Sequence, residues 1–169
     1  ATEADNSELY RMGALEAVHM TNNYIVQNHD ALGMFATLFF GVLSPDTGKL
    51  TYVSGGHEPL FVIGSSGQIK QLPHTGPAVG LNADARFHME QAHLQPGDVI
   101  LGYTDGVTEA RSSEGDLFGR KRLEMLLNQR FSSADDLIEH IKSSLLTFTG
   151  DAPQEDDITL LAVKRSPYS

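Results

Sequence analysis

No cysteine occurs among the 169 residues, which excludes disulfides, thiolate zinc sites and cysteine nucleophiles. Such a chain suits a reducing compartment, and a cytoplasmic location is the expectation. Nowhere does an apolar run approach the roughly 18 residues of a membrane span. The opening ATEADNSELY has neither the basic start nor the apolar core of an export signal. Cationic residues are scarce: 12 Lys and Arg face 22 Asp and Glu, a formal net charge of −10. That balance argues against nucleic acid or anionic lipid as the main partner, because both need a cationic footprint. The only dense basic group, GRKR at 119–122, reads as the exposed first turn of a helix. Acidic excess ordinarily serves solubility, and it is also compatible with cation binding. The chain has no phosphate-cradling GxxxxGK, no GxGxxG and no GxSxG elbow, so nucleotide-loop and serine-hydrolase chemistries lack their defining motifs.

What is present fits one folded domain spanning 1–169, with 40% apolar residues and enough chain for a substantial core. Leu9, Met12, Leu15 and Val18 recur at near-helical spacing, and with Ser7 as cap they predict a helix over 7–29. MFATLFFGVLS is short and aromatic-rich, as expected of a buried strand, and PDTGK turns it into KLTYVSGG as a hairpin. PLFVIG and QIKQLP flank GSSG as a second hairpin. HTGPAVGLNADA reads as loop, FHMEQAHL as a strand, and QPGD as the turn into VILGYT, a central strand. After the loop RSSEGD come two helices, GRKRLEMLLNQR and one starting near Ser132 or Ser133 with Asp135 and Asp136 complementing its dipole. Leu137, Ile138, Ile141, Leu145 and Phe148 share one face of the latter. GDAPQEDD is loop and ITLLAVKR a last strand. Antiparallel strands with segregated helices place the chain in the α+β class of layered domains.

Three places carry chemistry. Asp105 ends an apolar strand, where a carboxylate is rigidly aimed, and Gly106 lets backbone or water come close. An isolated Asp-Gly is more often just a strand-ending turn. Asp156 and Asp157 precede ITLLAV, and adjacent carboxylates repel unless they are solvated or share a cation. Two carboxylate-bearing strand ends together indicate hard oxygen ligands for Mg²⁺ or Mn²⁺ rather than zinc. His57, in GGHEP, is either a turn histidine or part of a cleft lining. The histidines at 19, 29, 74, 88, 93 and 140 show no ligand spacing and read as structural.

Taken in order, MFATLFFGVLSPDTGKLTYVSGGHEPLFVI, PGDVILGYTDGVTEARSSEGDLFG and EDDITLLAVKR resemble the metal-dependent (type 2C, PPM) protein phosphatases. The resemblance is to the bacterial branch of sporulation stage II phosphatases and sigma-factor regulators, and it runs from about Met34 to Arg165. It implies a sandwich of two antiparallel sheets flanked by helices and hydrolysis of phosphoserine or phosphothreonine in a regulatory protein of the anti-sigma-antagonist type. Two Mn²⁺ or Mg²⁺ ions would activate a water, with Asp105 and Asp156 as ligands and Gly106 and Asp157 as further ones. His57 would be structural or substrate-facing.

One departure matters. The family carries an early strand ending in a DVSGKG-like motif whose aspartate bridges the metals, and nothing like it precedes Met34. The chain therefore reads as the C-terminal three quarters of the family domain, with 1–33 a connecting helical region. The start at Ala1 rather than methionine favours a trimmed phosphatase over a natural variant. Weak or no activity is expected of the chain by itself. The alternative is a pseudophosphatase, a binding module that recognises a signalling partner without catalysis. Sheet edges left open predict a homodimer or strand-swapped assembly.

Overall fold

The computed structural model describes residues 3–29 and 33–166, and the side chains of 12–28 and 33–166 among them. The chain forms two compact units, one built from 1–59 and 73–93, the other from 60–72 and 94–169.

The first unit holds a helix and a three-stranded antiparallel sheet. Helix α1 spans Glu3–His29, β1 Leu38–Leu43, β2 Lys49–Gly55, and a third strand Glu90–His93, here β5, completes the order β1-β2-β5. The helix begins earlier than Ser7, and Leu9 lies outside the described side chains. Val18 of α1 packs with Val53, Val79 and Phe87, with Leu15, Ile25, Leu38 and Met89 around them. Met12, placed on the same face by its spacing, is instead 65% exposed. A buried asparagine fixes the helix in place: Asn22 Oδ1 accepts the Gly80 amide at 2.9 Å and its Nδ2 donates to the Asn82 carbonyl at 3.0 Å. Pairing satisfies both ends of the buried amide, which would otherwise cost about 1–3 kcal/mol.

The expectation of a buried MFATLFFGVLS strand is corrected. β1 is an edge strand, and Phe40 and Val42 are 46% and 44% exposed. In register they oppose Val53 and Thr51. The α1 core reaches Leu38 and Val53 but not the outer residues of β1, so composition alone misjudged the strand. On the other face Phe39 stacks on Tyr52 with centroids 5.1 Å apart.

Tyr52 is buried, and burial first, then the charge of Glu90 opposite it, pushes its phenol up to about 12. The folded state holds this proton more tightly than the unfolded chain, whose tyrosine titrates near 10. Its contribution is complete below about pH 10 and is lost as pH rises towards about 12. Alkaline unfolding monitored by tyrosinate absorbance should therefore show Tyr52→Phe to be less sensitive than the parent between those values.

The second unit has a four-stranded antiparallel sheet in the order β4-β3-β6-β7: β3 is Phe61–Ile63, β4 Ile69–Gln71, β6 Val99–Tyr103 and β7 Leu160–Lys164. β6 is interior, as VILGYT predicts, and all five residues are buried. Val99, Leu101 and Tyr103 alternate onto one face with Phe61 and Ile63. Against them lie α3 (Gly119–Leu127) through Leu123 and Leu127, and α4 (Ala134–Thr149) through Leu137, Ile141 and Leu145. Burying each leucine stabilises by about 1.5–3 kcal/mol.

The start of α4 is strongly specified. Ser133 Oγ accepts the Asp136 amide at 3.0 Å, a serine N-cap. Asp136 Oδ2 in return accepts both the amide and the hydroxyl of Ser132 at 2.8 Å. Those bonds, the backbone one first, hold the exposed Asp136 carboxyl below its usual range. The hairpins, both helices of this unit and the last strand stand where the sequence put them, trimmed by a few residues at each end. The stretch after Thr104 differs: Asp105–Glu109 is a short helix, α2, rather than a turn. No described helix is long and apolar enough to cross a membrane.

Candidate functional site

β6 and β7 are antiparallel neighbours, and the last pair of their ladder is Tyr103 with Leu160. The chain leaving β6 and the chain entering β7 therefore lie side by side at one end of the sheet. Asp105 follows the first strand by two residues, and Asp156 and Asp157 precede the second by four and three. The register thus brings TDG and EDD together.

Side chain and backbone then fasten the two segments. Thr104 Oγ1 donates to the Asp157 carbonyl at 2.9 Å and accepts the Thr159 amide at 2.9 Å, while the Thr104 amide donates to the Thr159 carbonyl at 3.1 Å. Gly106 sits directly against the EDD backbone. A Cβ there would stand 2.5 Å from the Asp157 carbonyl oxygen. The residue after Asp105 must accordingly be glycine, because the neighbouring chain occupies the space. Thr104 was not singled out in the sequence, and its place before Asp-Gly, with a hydroxyl at a strand end, is the signal that could have marked it.

The three carboxylates are exposed. Asp105 Oδ1 accepts the Gly106 amide at 3.0 Å, and Asp156 Oδ1 accepts the Asp157 amide at 2.7 Å. Each thus keeps its second oxygen uncommitted by these bonds. As donors they suit a hard divalent cation. Their number does not: among the described residues no group of three or more His, Asp or Glu is arranged to hold a metal ion. The donor chemistry fits the implied ions, and the ligand set is short.

His57 belongs to the first unit and is half-buried. Its Nδ1 lies 2.8 Å from the Glu58 carbonyl oxygen, which can only accept, so Nδ1 is the donor of this bond. The glycines before it have a packing reason of their own. Gly56 has φ +67°, and a Cβ on it would fall 2.7 Å from the Ala78 amide nitrogen.

Beside the strand ends, a cleft of about 360 Å³ opens between α2, α4 and the loop that leads to β7. Gly106 and Asp156 line it, so it is continuous with the paired strand ends. Arg111 on its wall donates from Nε to Glu155 at 3.1 Å and from Nη1 to the Gly115 carbonyl at 3.0 Å.

The fold is that of the type 2C phosphatase domains: the SiaA-PP2C domain of Pseudomonas aeruginosa superposes with a TM-score of 0.70 over 90% of this chain and 64% of its own, at 22% identity. The model of the family described as Stage II sporulation protein E (SpoIIE) matches residues 5–166, and the chain belongs to that family, the bacterial branch of PPM-type phosphatases. Protein IcfG of Synechocystis sp. is 43% identical over 152 residues, which is 90% of this chain and 24% of that protein. Phosphoserine phosphatase RsbU of Bacillus subtilis is 35% identical over 146 residues, 85% of this chain and 43% of its own. The chain thus spans less than half the length of either curated relative.

Proposed function

We propose that this chain carries the part of a metal-dependent serine/threonine protein phosphatase to which Asp105 and Asp156 contribute as cation ligands. Gly106, through its carbonyl, and Asp157 are the further donors in this reading, and Mn²⁺ or Mg²⁺ are the ions. The observation that supports it best is the contact of the Thr104–Gly106 segment with the Asp157 backbone, which sets carboxylates from two distant segments at one sheet end. Family membership and the likeness to a phosphoserine phosphatase support the reaction class. The substrate is a phosphorylated regulatory protein of the anti-sigma-antagonist type, met in the cytoplasm. Because the ligand set is short among the described residues, the chain alone hydrolyses weakly. Exposed Phe40 and Val42 on an edge strand add self-association along β1 to this reading.

The test is phosphate release from a phosphoserine peptide at high protein concentration, with Mn²⁺ and with chelator. Slow release that needs the ion is expected, and release indifferent to chelator would contradict the proposal. The short ligand set also favours a second reading, a pseudophosphatase. Its mark would be binding of a phosphorylated partner with no release at any Mn²⁺ concentration.

A further inference from the structure

We propose that the cleft between α2, α4 and the 150–158 loop takes an aliphatic side chain and a neighbouring basic residue from the protein segment flanking the phosphorylated residue. This rests on the phosphatase reading for the identity of the segment, and on the cleft's own chemistry for its composition.

The wall includes Leu117 and Leu146, which are 46% and 62% exposed although both face a concave surface. Large apolar side chains left open in a cleft lose contact with water when an aliphatic group enters. The rim is acidic: among the described residues it carries Glu109, Glu155 and Asp156 against one cation, Arg111. That guanidinium is already engaged by Glu155 and by the Gly115 carbonyl, so it is committed to shaping the wall. Among the described residues Glu109 has no such partner. A cationic side chain entering beside the aliphatic one would meet Glu109, and a protein of net charge −10 draws such segments in. The same charge disfavours nucleic acid and anionic lipid. Gly106 and Asp156 belong both to the cleft and to the paired strand ends, so what lies in the cleft while a phosphoserine lies at those ends is the chain beside that serine.

Fluorescence anisotropy with three labelled, unphosphorylated twelve-residue peptides tests this without metal or catalysis. The first repeats Leu and Arg on both sides of a central serine, the second has Glu for Arg, and the third has Ser for Leu. The Leu-Arg peptide should bind tightest. Leu146→Ser should weaken both Leu peptides by about tenfold, the scale of one buried aliphatic side chain. Glu109→Gln should weaken only the two Arg peptides, by about three- to fivefold, the scale of an exposed ion pair. Both positions are exposed, and unchanged thermal unfolding would show the variants intact. Equal binding of the three peptides, or indifference to both substitutions, would overturn the proposal. Since no peptide carries phosphate, that failure would leave Mn²⁺-dependent phosphate release untouched; loss of release with peptide binding retained would instead sink the phosphatase reading.

Discussion

Gly106→Ala should destabilise the second unit and lower its melting temperature by several degrees. The new methyl carbon would stand 2.5 Å from the Asp157 carbonyl oxygen and 3.0 Å from its carbonyl carbon. Both are backbone atoms, so neither can swing aside as a side chain would. The α2 turn and the EDD segment must separate, which strains the two bonds of Thr104 Oγ1 that join them. Overpacking of this kind costs about 1–3 kcal/mol, and each weakened hydrogen bond adds about 1 kcal/mol. Helix propensity works in the opposite direction, since alanine within α2 is favoured over glycine by about 1 kcal/mol. The sign of the result therefore discriminates. If close approach of the chains governs the position, melting falls; if position 106 is merely a helical residue, melting rises by a few degrees. Calorimetry on the two proteins decides it.

Asp105→Asn should leave the fold nearly unchanged and remove metal-dependent phosphate release. The carboxylate is exposed, and its bond from the Gly106 amide to Oδ1 at 3.0 Å can be accepted equally by an amide oxygen. What asparagine lacks is the negative charge that a hard cation requires. Loss of a group acting directly on a reaction's charge typically lowers rate by about a hundredfold or more. The Mn²⁺-dependent part of release should fall by that order, to the chelated background. A shift in melting of less than a degree or two would confirm that the fold is intact. Undiminished release in a well-folded variant would remove Asp105 from the proposal.

How much of this was legible in the sequence depended on which physical signal a residue carries. β6 could be read because Val99, Ile100, Leu101 and Tyr103 form an apolar run with only Gly102 between them, and a strand buried on both faces needs one. α4 could be read because Leu137, Ile141 and Leu145 repeat at four-residue spacing behind a serine cap. β1 was misread because its apolar content does not say how far a covering helix extends; Phe40 and Val42 lie past the reach of α1. Asp105 and Asp156 drew notice as carboxylates at strand ends. Their adjacency in space was implied by the family resemblance and not by the residues themselves, since it depends on β6 and β7 being neighbours in register across more than fifty residues. Thr104 and the Arg111–Glu155 pair went unremarked for the same reason: each matters through a partner more than forty residues away. The glycines of GGH drew attention to His57, yet at Gly56 the requirement is close packing against Ala78.

The account depends on the β6 and β7 ends acting as one locus for a divalent cation. Mn²⁺ binding followed by electron paramagnetic resonance measures this directly, because the free ion gives a sharp six-line signal that diminishes on binding. The chain should bind Mn²⁺ weakly, and Asp105→Asn and Asp156→Asn should each reduce that binding by about tenfold or more, with the double variant little worse than either single one. Binding that persists unchanged in both single variants would show that the two strand ends hold no common ion.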